Sequence, residues 1–444
     1  MSTKRKIIRT LRCKNKKNIG VLAALISTMS SLGADIGDIK TVKFGELFNF
    51  RDITILIDDE DHLNTIVQAV RKLQNVELEA VIDDVLETHR GGKIEIHSRA
   101  EVKSIEDLRK IYTPGVASVC NLIFQEPKNA QIYTSIGKNV ALITNGSRVL
   151  GLGNIGAVAA MPVMEGKAAL FKQFTGYNMI PILLNTRDVE TFISTVETIA
   201  PTFSAIQLED ISAPHCFTIE ERLKKSLPIP VMHDDQHGTA VVVLAALIST
   251  CKIMNHDLKK LKVGQIGLGA AGQAMSSLIM KYSGNTVLGT DLGETAVQRF
   301  ESQGGVSSSL NAIMNECDVV MATTGRAGLI KPSMIKKGSI IFSLSNPEPE
   351  ITIEDAMKAG AAFASDGSRV NNLLGYPGIF KGALEAKAFT INQEMLIAAA
   401  EALVSVTPEG DVIPDVLDQD VHTTVAKWVM KAAIHTKVTQ DFNS

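Results

Sequence analysis

The chain has 444 residues, which at about 150 residues per domain asks for roughly three domains. It is 45% hydrophobic and 21% charged, the make-up of an ordinary folded protein, so a mostly disordered chain is excluded. Lysine and arginine number 45 against 48 aspartates and glutamates; the net charge of -3 gives no electrostatic reason to expect nucleic acid or an anionic membrane as partner. The five cysteines, Cys13, Cys120, Cys216, Cys251 and Cys317, are scattered, odd in number and without a C-x-x-C pair. Reduced thiols in a cytoplasm fit that usage better than a disulfide framework or a cysteine zinc site. The basic start, residues 1–17, is not followed by an apolar run of signal-peptide length. No uncharged apolar run of about 18 residues follows elsewhere, so no membrane span is expected.

Residues 1–88 read as a βαββαβ unit. Ile7 to Leu11 is a short strand, and Ile19 to Leu32 has helical spacing, with Leu22, Leu25, Ile26 and Met29 on one face. Gly33 stops that helix. Thr41 to Phe48 and Phe50 to Ile57 alternate as strands. Asp58-Asp59-Glu60-Asp61 makes a turn and a helix start, Leu63 to Leu73 is a second amphipathic helix, and Leu78 to Ile82 is the last strand. This order is ferredoxin-like. Together with N-I-G-V-L at the first helix start and the turn S-L-G-A-D-I, it resembles an ACT regulatory domain. Such domains pair with one another and bind small effectors near the first helix start. The Pro-Gly usual there is Ile19-Gly20 in this chain. Two readings therefore stand, a small effector site or a module for dimerisation and packing.

Thr88 to Lys93, with Arg90-Gly91-Gly92, reads as a linker. Beyond it, Val140 to Ile143, Ile180 to Leu184, Ile206 to Leu208, Val263 to Ile266, Val287 to Leu288, Val319 to Met321 and Ile340 to Phe342 are short apolar runs of the kind found in buried parallel strands. Alternating with helices, they predict α/β, doubly wound architecture. Val421 to His435 is an amphipathic helix that packs back on an earlier domain in this reading. The expected division is an ACT-like domain at 1–88, a substrate domain at 89–240 with the 421–444 segment against it, and a Rossmann domain at 241–420.

The pattern G-x-G-x-x-G occurs at Gly151-Leu152-Gly153-Asn154-Ile155-Gly156 and again at Gly267-Leu268-Gly269-Ala270-Ala271-Gly272. The second copy has a strand before it, a helix after it, and a next strand ending in Asp291. An acidic residue about 20 positions on suits a ribose 2′-hydroxyl, and the glycines let backbone N–H groups approach a pyrophosphate. Leu292 and Gly293 follow, with no arginine for a 2′-phosphate, so NAD is favoured over NADP. The first copy lacks such an acid and reads as a tight strand-to-helix turn.

Two acidic pairs, Glu209-Asp210 and Asp234-Asp235, each lie just past a predicted strand end. Carboxylates converging on one crevice repel one another unless a hard divalent cation joins them, and oxygen ligands suit Mg²⁺ or Mn²⁺. Lys167 lies on or just before a helix rich in alanine and phenylalanine, where apolar neighbours would lower its pKa and make it a base. Tyr112 precedes the turn Thr113-Pro114-Gly115. His233 and His237 flank the second acidic pair and read as supporting or structural groups, with a ligand role left open.

Together these pieces resemble the malic enzyme family, closest to its short bacterial type. The matching stretches are Tyr112-Thr113-Pro114-Gly115-Val116, Val149 to Gly156, PVMEGKA at 162–168, QLEDISAP at 207–214, HDDQHGT at 233–239, SNPEPE at 345–350 and NNLLGYPGIFKG at 371–382. They span about three-quarters of the chain in the family's order. The resemblance implies that Tyr112 protonates the enol carbon and that Lys167 is the base at the C2 hydroxyl, tuned by Asp234. It also implies that Glu209, Asp210 and Asp235 hold the divalent metal. By the same likeness Arg148, Asn346 and Asn372 hold malate carboxylates, and Gly267, Gly269, Ala270, Ala271, Gly272 and Asp291 hold NAD. Asn154 and Ala157 replace the family's usual Asp and Pro, and the run 364–369 is shorter than usual.

The expected activity is NAD-dependent oxidative decarboxylation of L-malate to pyruvate and CO₂ with Mg²⁺ or Mn²⁺. The expected assembly is a homodimer or higher homo-oligomer. The alternatives are a malolactic conversion to lactate and a catalytically silent ACT-type metabolite sensor.

Overall fold

The computed structural model describes residues 7–149, 151–367 and 370–440. The first six residues of the basic start, Leu150 in the first glycine stretch, Ser368-Arg369 in the shortened run and the last four residues lie outside the described residues. Two compact units, Met1–Glu95 and Ile96–Ser444, make up the chain.

In the first unit, strands β1 (Ile7–Lys16), β2 (Asp35–Phe44), β3 (Phe48–Ile57) and β4 (Val76–Ile82) form an antiparallel sheet in the order β2-β3-β1-β4. Helices Val21–Ser31 and Glu60–Arg71 connect β1 to β2 and β3 to β4, the ferredoxin-like order. Leu11, Cys13, Ile53, Ile55 and Ile57 alternate onto one face and bury Leu25, Met29, Ile66 and Val70 from the helices. Asp59 caps the second helix, accepting from the His62 N–H at 2.8 Å.

The first hairpin differs from the expectation. β2 ends at Phe44, so the strand predicted over 41–48 begins six residues late and runs through the turn. β2 is an edge strand with no buried residue, so the apolar alternation that reveals a strand is missing from it. β1 also runs past Leu11 to Lys16, because Cys13 and Asn15 continue the inward-facing row. A short helix, Asp84–His89, precedes the predicted linker.

The second unit holds two parallel sheets. β5 (Asn139–Thr144), β6 (Asn178–Leu183), β7 (Ala205–Leu208) and β8 (Val231–His233) pair in the order β6-β5-β7-β8. β9 (Val263–Ile266), β10 (Val287–Thr290), β11 (Val306–Ser307), β12 (Val319–Ala322), β13 (Ile340–Ser343) and β14 (Phe363–Asp366) pair in the order β11-β10-β9-β12-β13-β14. Numbered from β9, that is 3-2-1-4-5-6, the doubly wound order whose ligand crevice lies where the strand order reverses, between β9 and β12. β11, two residues long, and β14, with a polar Ser-Asp end, were beyond the reach of apolar runs.

The helix Asp234–Ile253 follows β8 and leads towards β9. Its length and composition alone would let it cross a membrane, but 78% of its apolar window is buried inside the protein. It is apolar all round because other elements cover it on every side. The Gln419–His435 helix returns to the Ala157–Thr175 helix: the His422 ring stacks on Phe174 with centroids 4.0 Å apart, and Gln419 Nε2 donates to the Phe174 carbonyl at 2.8 Å. All five cysteines are free thiols, and only Cys120 is exposed.

Candidate active site

The centre of the site is a lysine clamped by carboxylates. Lys167 lies on the Ala157–Thr175 helix, which starts at Gly156, the end of the first glycine stretch. Its Nζ donates to Asp234 Oδ2 at 2.5 Å and to Glu209 Oε1 at 2.6 Å, and the side chain is nearly covered. Glu209 stands just past β7, and Asp234 opens the helix that follows β8, so both hang from the C-terminal edge of the first parallel sheet. The Tyr376 ring lies under the ammonium, 4.7 Å from Nζ, and its hydroxyl donates to the Lys167 carbonyl at 3.1 Å.

These contacts correct the expectation of a lowered lysine pKa. Burial does push Lys167 down, but the charges of Asp234 and Glu209 outweigh it and hold the ammonium well above the usual lysine range. The surroundings are anionic, not apolar.

Glu209, Asp210 and Asp235 each offer a carboxylate oxygen, and the three oxygens lie within 4.8 Å of one another. Asp210 has a left-handed backbone, φ 54°, and its N–H donates to Asp235 Oδ2 at 2.8 Å. Gln207 Nε2 holds the other Glu209 oxygen at 3.0 Å. Asp210 Oδ2 and Asp234 Oδ1 are buried with no hydrogen-bond partner among the described residues. Four carboxylates thus face a single ammonium. Burial raises Glu209 to about 7, Asp210 to about 8, Asp234 to about 7 and Asp235 to about 6. An all-oxygen set with surplus negative charge and orphaned oxygens fits a hard divalent cation. His233 is fully buried, and its Nε2 stands 3.4 Å from Asp235 Oδ2. Burial lowers His233 to about 3, which keeps its ring neutral.

Asn372, expected at a malate carboxylate, donates from Nδ2 to Asp234 Oδ2 at 2.7 Å. Beside them Gly238 leaves no room: a Cβ there would fall 1.9 Å from Asp234 Oδ1 and 3.4 Å from the Asn372 Cβ. Gly238→Ala is therefore expected to push Asp234 off Lys167 and cut kcat/KM by about a hundredfold or more, in line with the cost of misplacing a reacting group by an ångström. Steady-state kinetics beside a melting curve checks this; a folded variant with unchanged kcat/KM would contradict the contact.

At the second sheet, Gly269 precedes the Ala270–Ser283 helix, whose first turn has no side-chain cap. A Cβ on Gly269 would meet nothing within 4 Å, so this turn faces open space. A Cβ on Gly272 would fall 2.0 Å from the Gly267 carbonyl, which explains the glycine at that close turn. Ala270 and Ala271 lie between them in the first helical turn, part-buried. Asp291, at the end of β10, accepts from the Leu268 N–H at 2.6 Å and the Gly293 N–H at 2.8 Å. The uncapped first turn and the carboxylate beside it fit a dinucleotide. Across the crevice, the buried Glu350 carboxylate accepts from Thr324 N at 2.6 Å, Thr324 Oγ1 at 2.8 Å and Ser345 Oγ at 2.5 Å, tying together the loops after β12 and β13.

Other expected site residues stand apart from the lysine. Arg148 donates its backbone N–H to the Asp210 carbonyl at 3.0 Å, and its guanidinium lowers Asp235 and reaches the edge of Gly325. Asn346 precedes a cis peptide bond to Pro347 and neighbours Gly367. Tyr112, expected as the acid, is 67% exposed and makes no side-chain hydrogen bond among the described residues. It follows the Ile105–Ile111 helix, which, like the Val116–Gln125 helix after it, buries no residue. Within one chain Tyr112 is not joined to the Lys167 cluster.

Sequence reasoning missed Tyr376, Gly238, Gln207 and Glu350 as parts of this arrangement. All four sit inside stretches already marked by the family likeness, which was the available signal.

Residues 91–224 match the family model "Malic enzyme, N-terminal domain". Across 96% of its length the chain is 53% identical to NAD-dependent malic enzyme 1 of Bacillus subtilis, covering 98% of that relative. It is 42% identical to the bifunctional malic/malolactic enzyme of the same organism, over 80% of this chain and 94% of the relative. The crystal structure of malic enzyme from Pyrococcus horikoshii matches 80% of this chain and 91% of its own with a TM-score of 0.75 and 38% identity. Likeness at this level over nearly the whole length, on this fold, shows that the chain belongs to the malic enzyme family.

Proposed function

We propose that the chain catalyses the oxidative decarboxylation of L-malate to pyruvate and CO₂ with reduction of NAD, in the presence of Mg²⁺ or Mn²⁺. The observation that carries this reading is the Lys167 ammonium held between Asp234 and Glu209, beside the three carboxylate oxygens of Glu209, Asp210 and Asp235. Lys167 is the base at the C2 hydroxyl: its ammonium first passes a proton to Asp234, whose carboxyl burial raises to about 7, and Nζ then takes the hydroxyl proton, while NAD, when bound, would supply the hydride acceptor. Asp234 and Glu209 hold its Nζ in place for that transfer, and Asn372 holds Asp234. Glu209, Asp210 and Asp235 would hold the divalent ion, which supplies Lewis acidity for the C2 oxygen and the enolate. The 3-keto acid loses CO₂, and C3 of the enolate takes a proton from a tyrosine. Arg148 and Asn346 hold substrate carboxylates. Gly267, Gly269, Ala270, Ala271 and Gly272 receive the pyrophosphate, with Asp291 at the ribose.

The tyrosine requires a second copy. The segment around Tyr112 exposes Ile105, Phe124 at 88%, Ile132 and Tyr133, an apolar surface without cover in one chain. A homodimer formed through this segment brings Tyr112 of the partner subunit to Lys167. Mixing Tyr112→Phe with Lys167→Ala chains should then restore turnover, because each mixed dimer contains one intact pair. No recovery in verified mixed dimers would rule out a shared site.

A second reading is favoured by the bifunctional malic/malolactic relative: bound NAD would recycle and lactate would leave. Product analysis decides. Equal amounts of NADH and pyruvate support the first reading; lactate without free NADH supports the second. The first unit is read as an ACT-like domain at 1–88, taking a small effector or pairing copies. The substrate domain at 89–240 and the Rossmann domain at 241–420 complete this division. A cytoplasmic setting agrees with five free thiols.

A further inference from the structure

We propose that Glu220 is the positioning residue that sets Asp234 and Asp235 in place, acting from outside the site. This rests on the reading that Asp235 takes part in holding the divalent ion. Glu220 lies on the His215–Ser226 helix and is only 6% exposed. Its Oε1 accepts from the His233 N–H at 3.0 Å, and its Oε2 from Gln236 Nε2 at 3.0 Å and His237 Nε2 at 3.0 Å. Lys224 Nζ, one turn along the same helix, completes the set at 2.7 Å from Oε1.

The order of these donors along the chain makes the case. His233 precedes the acidic pair, and Gln236 and His237 follow it. One buried carboxylate therefore brackets Asp234-Asp235 from both sides. The pair opens a helix whose preceding residue, His233, offers no side-chain cap, and Glu220 fixes that residue's N–H together with the side chains of Gln236 and His237 in the first turns. A negative group there also suits the positive end of the helix. Asp234 is also held through Oδ2 by Lys167 and Asn372, but its Oδ1 has no partner among the described residues, and Asp235 meets the Asp210 N–H and the His233 ring at close range. Loss of Glu220 frees Lys224 and all three donors of the 233–237 segment at once and lets the turn rotate, and the acidic pair goes with it.

The test uses the full chain and Mn²⁺ alone, so it does not depend on turnover. Glu220→Ala should weaken Mn²⁺ binding, read by electron paramagnetic resonance, by about tenfold or more, the usual effect of removing an outer hydrogen-bond partner of a metal site. NAD binding, which lies on the other sheet, should stay within about twofold. Glu220→Gln keeps one oxygen acceptor and should show a smaller loss of Mn²⁺ affinity than Glu220→Ala. Glu221→Ala, on the same helix but exposed and paired with Lys225, should change neither constant. A folded Glu220→Ala chain with unchanged Mn²⁺ affinity, or with Mn²⁺ and NAD affinity lost together, overturns the proposal. Should Glu220→Ala fail to fold, Glu220→Gln decides: wild-type Mn²⁺ affinity there overturns it. Wild-type protein that binds Mn²⁺ but yields no NADH from malate would refute the proposed activity and leave this inference standing.

Discussion

Lys167→Ala should lower turnover of malate by about a thousandfold or more, the upper range for a general base, and should leave NAD bound. The amine is the cation joined directly to Asp234 and Glu209, at 2.5 and 2.6 Å. Alanine removes the amine proposed to take the C2 hydroxyl proton and the charge that compensates Asp234. The dinucleotide turn at Gly267–Gly272 belongs to the other sheet and makes no hydrogen bond to Lys167. Lys167→Arg separates charge from proton transfer, because a guanidinium pairs with carboxylates yet does not give up its proton. Both variants should be inactive with near-normal NAD affinity by calorimetry. Full turnover in either would remove Lys167 from the base role.

The carboxylate set gives the second large effect. Asp235→Asn should abolish dependence on Mn²⁺ at ordinary concentrations and reduce kcat/KM by about a hundredfold or more, the loss of a Lewis acid worth several kcal/mol. In the unaltered chain, Mn²⁺ affinity should fall as pH is lowered from about 8 to about 6. The reason is that Asp210, Glu209 and Asp235, raised by burial to about 8, 7 and 6, hold protons over that window. Each proton that the ion must displace costs up to about tenfold in affinity per pH unit. The stability sign is opposite in the metal-free chain. The folded state holds more protons than the unfolded chain between the ordinary carboxylate range and these raised values. Metal-free stability therefore falls as pH rises through that window, and Mn²⁺ should restore it. Melting curves with and without EDTA at several pH values check both directions; a metal-free melting temperature that climbs across the window would contradict the burial argument.

How much was legible depended on the distance between partners along the chain. The second glycine stretch, its strand and Asp291 form one local unit, and the structure places them as a doubly wound turn. The acidic pairs were visible for the same reason: each sits at the end of its own short strand. Lys167 was read as a base from its sequence neighbours as well as by the family likeness, and its surroundings were misjudged. Its neighbours in sequence are alanine and phenylalanine, while its partners in space are 42 and 67 residues away. Tyr376, 209 residues from Lys167, offered no local sign of its contact at all. β2 was misplaced because an exposed edge strand need not alternate. Tyr112 was assigned by likeness, and in the structure it is exposed and makes no side-chain hydrogen bond among the described residues.

Distant segments are proposed to meet around one divalent ion, and counting that ion is the most direct test. Titration of the metal-free full chain with Mn²⁺, followed by electron paramagnetic resonance, should give one tight ion per chain for the unaltered protein and for Lys167→Ala, and none for Asp235→Asn. An unaltered chain that takes up no ion, or an Asp235→Asn chain that keeps it with full affinity, would contradict the site described.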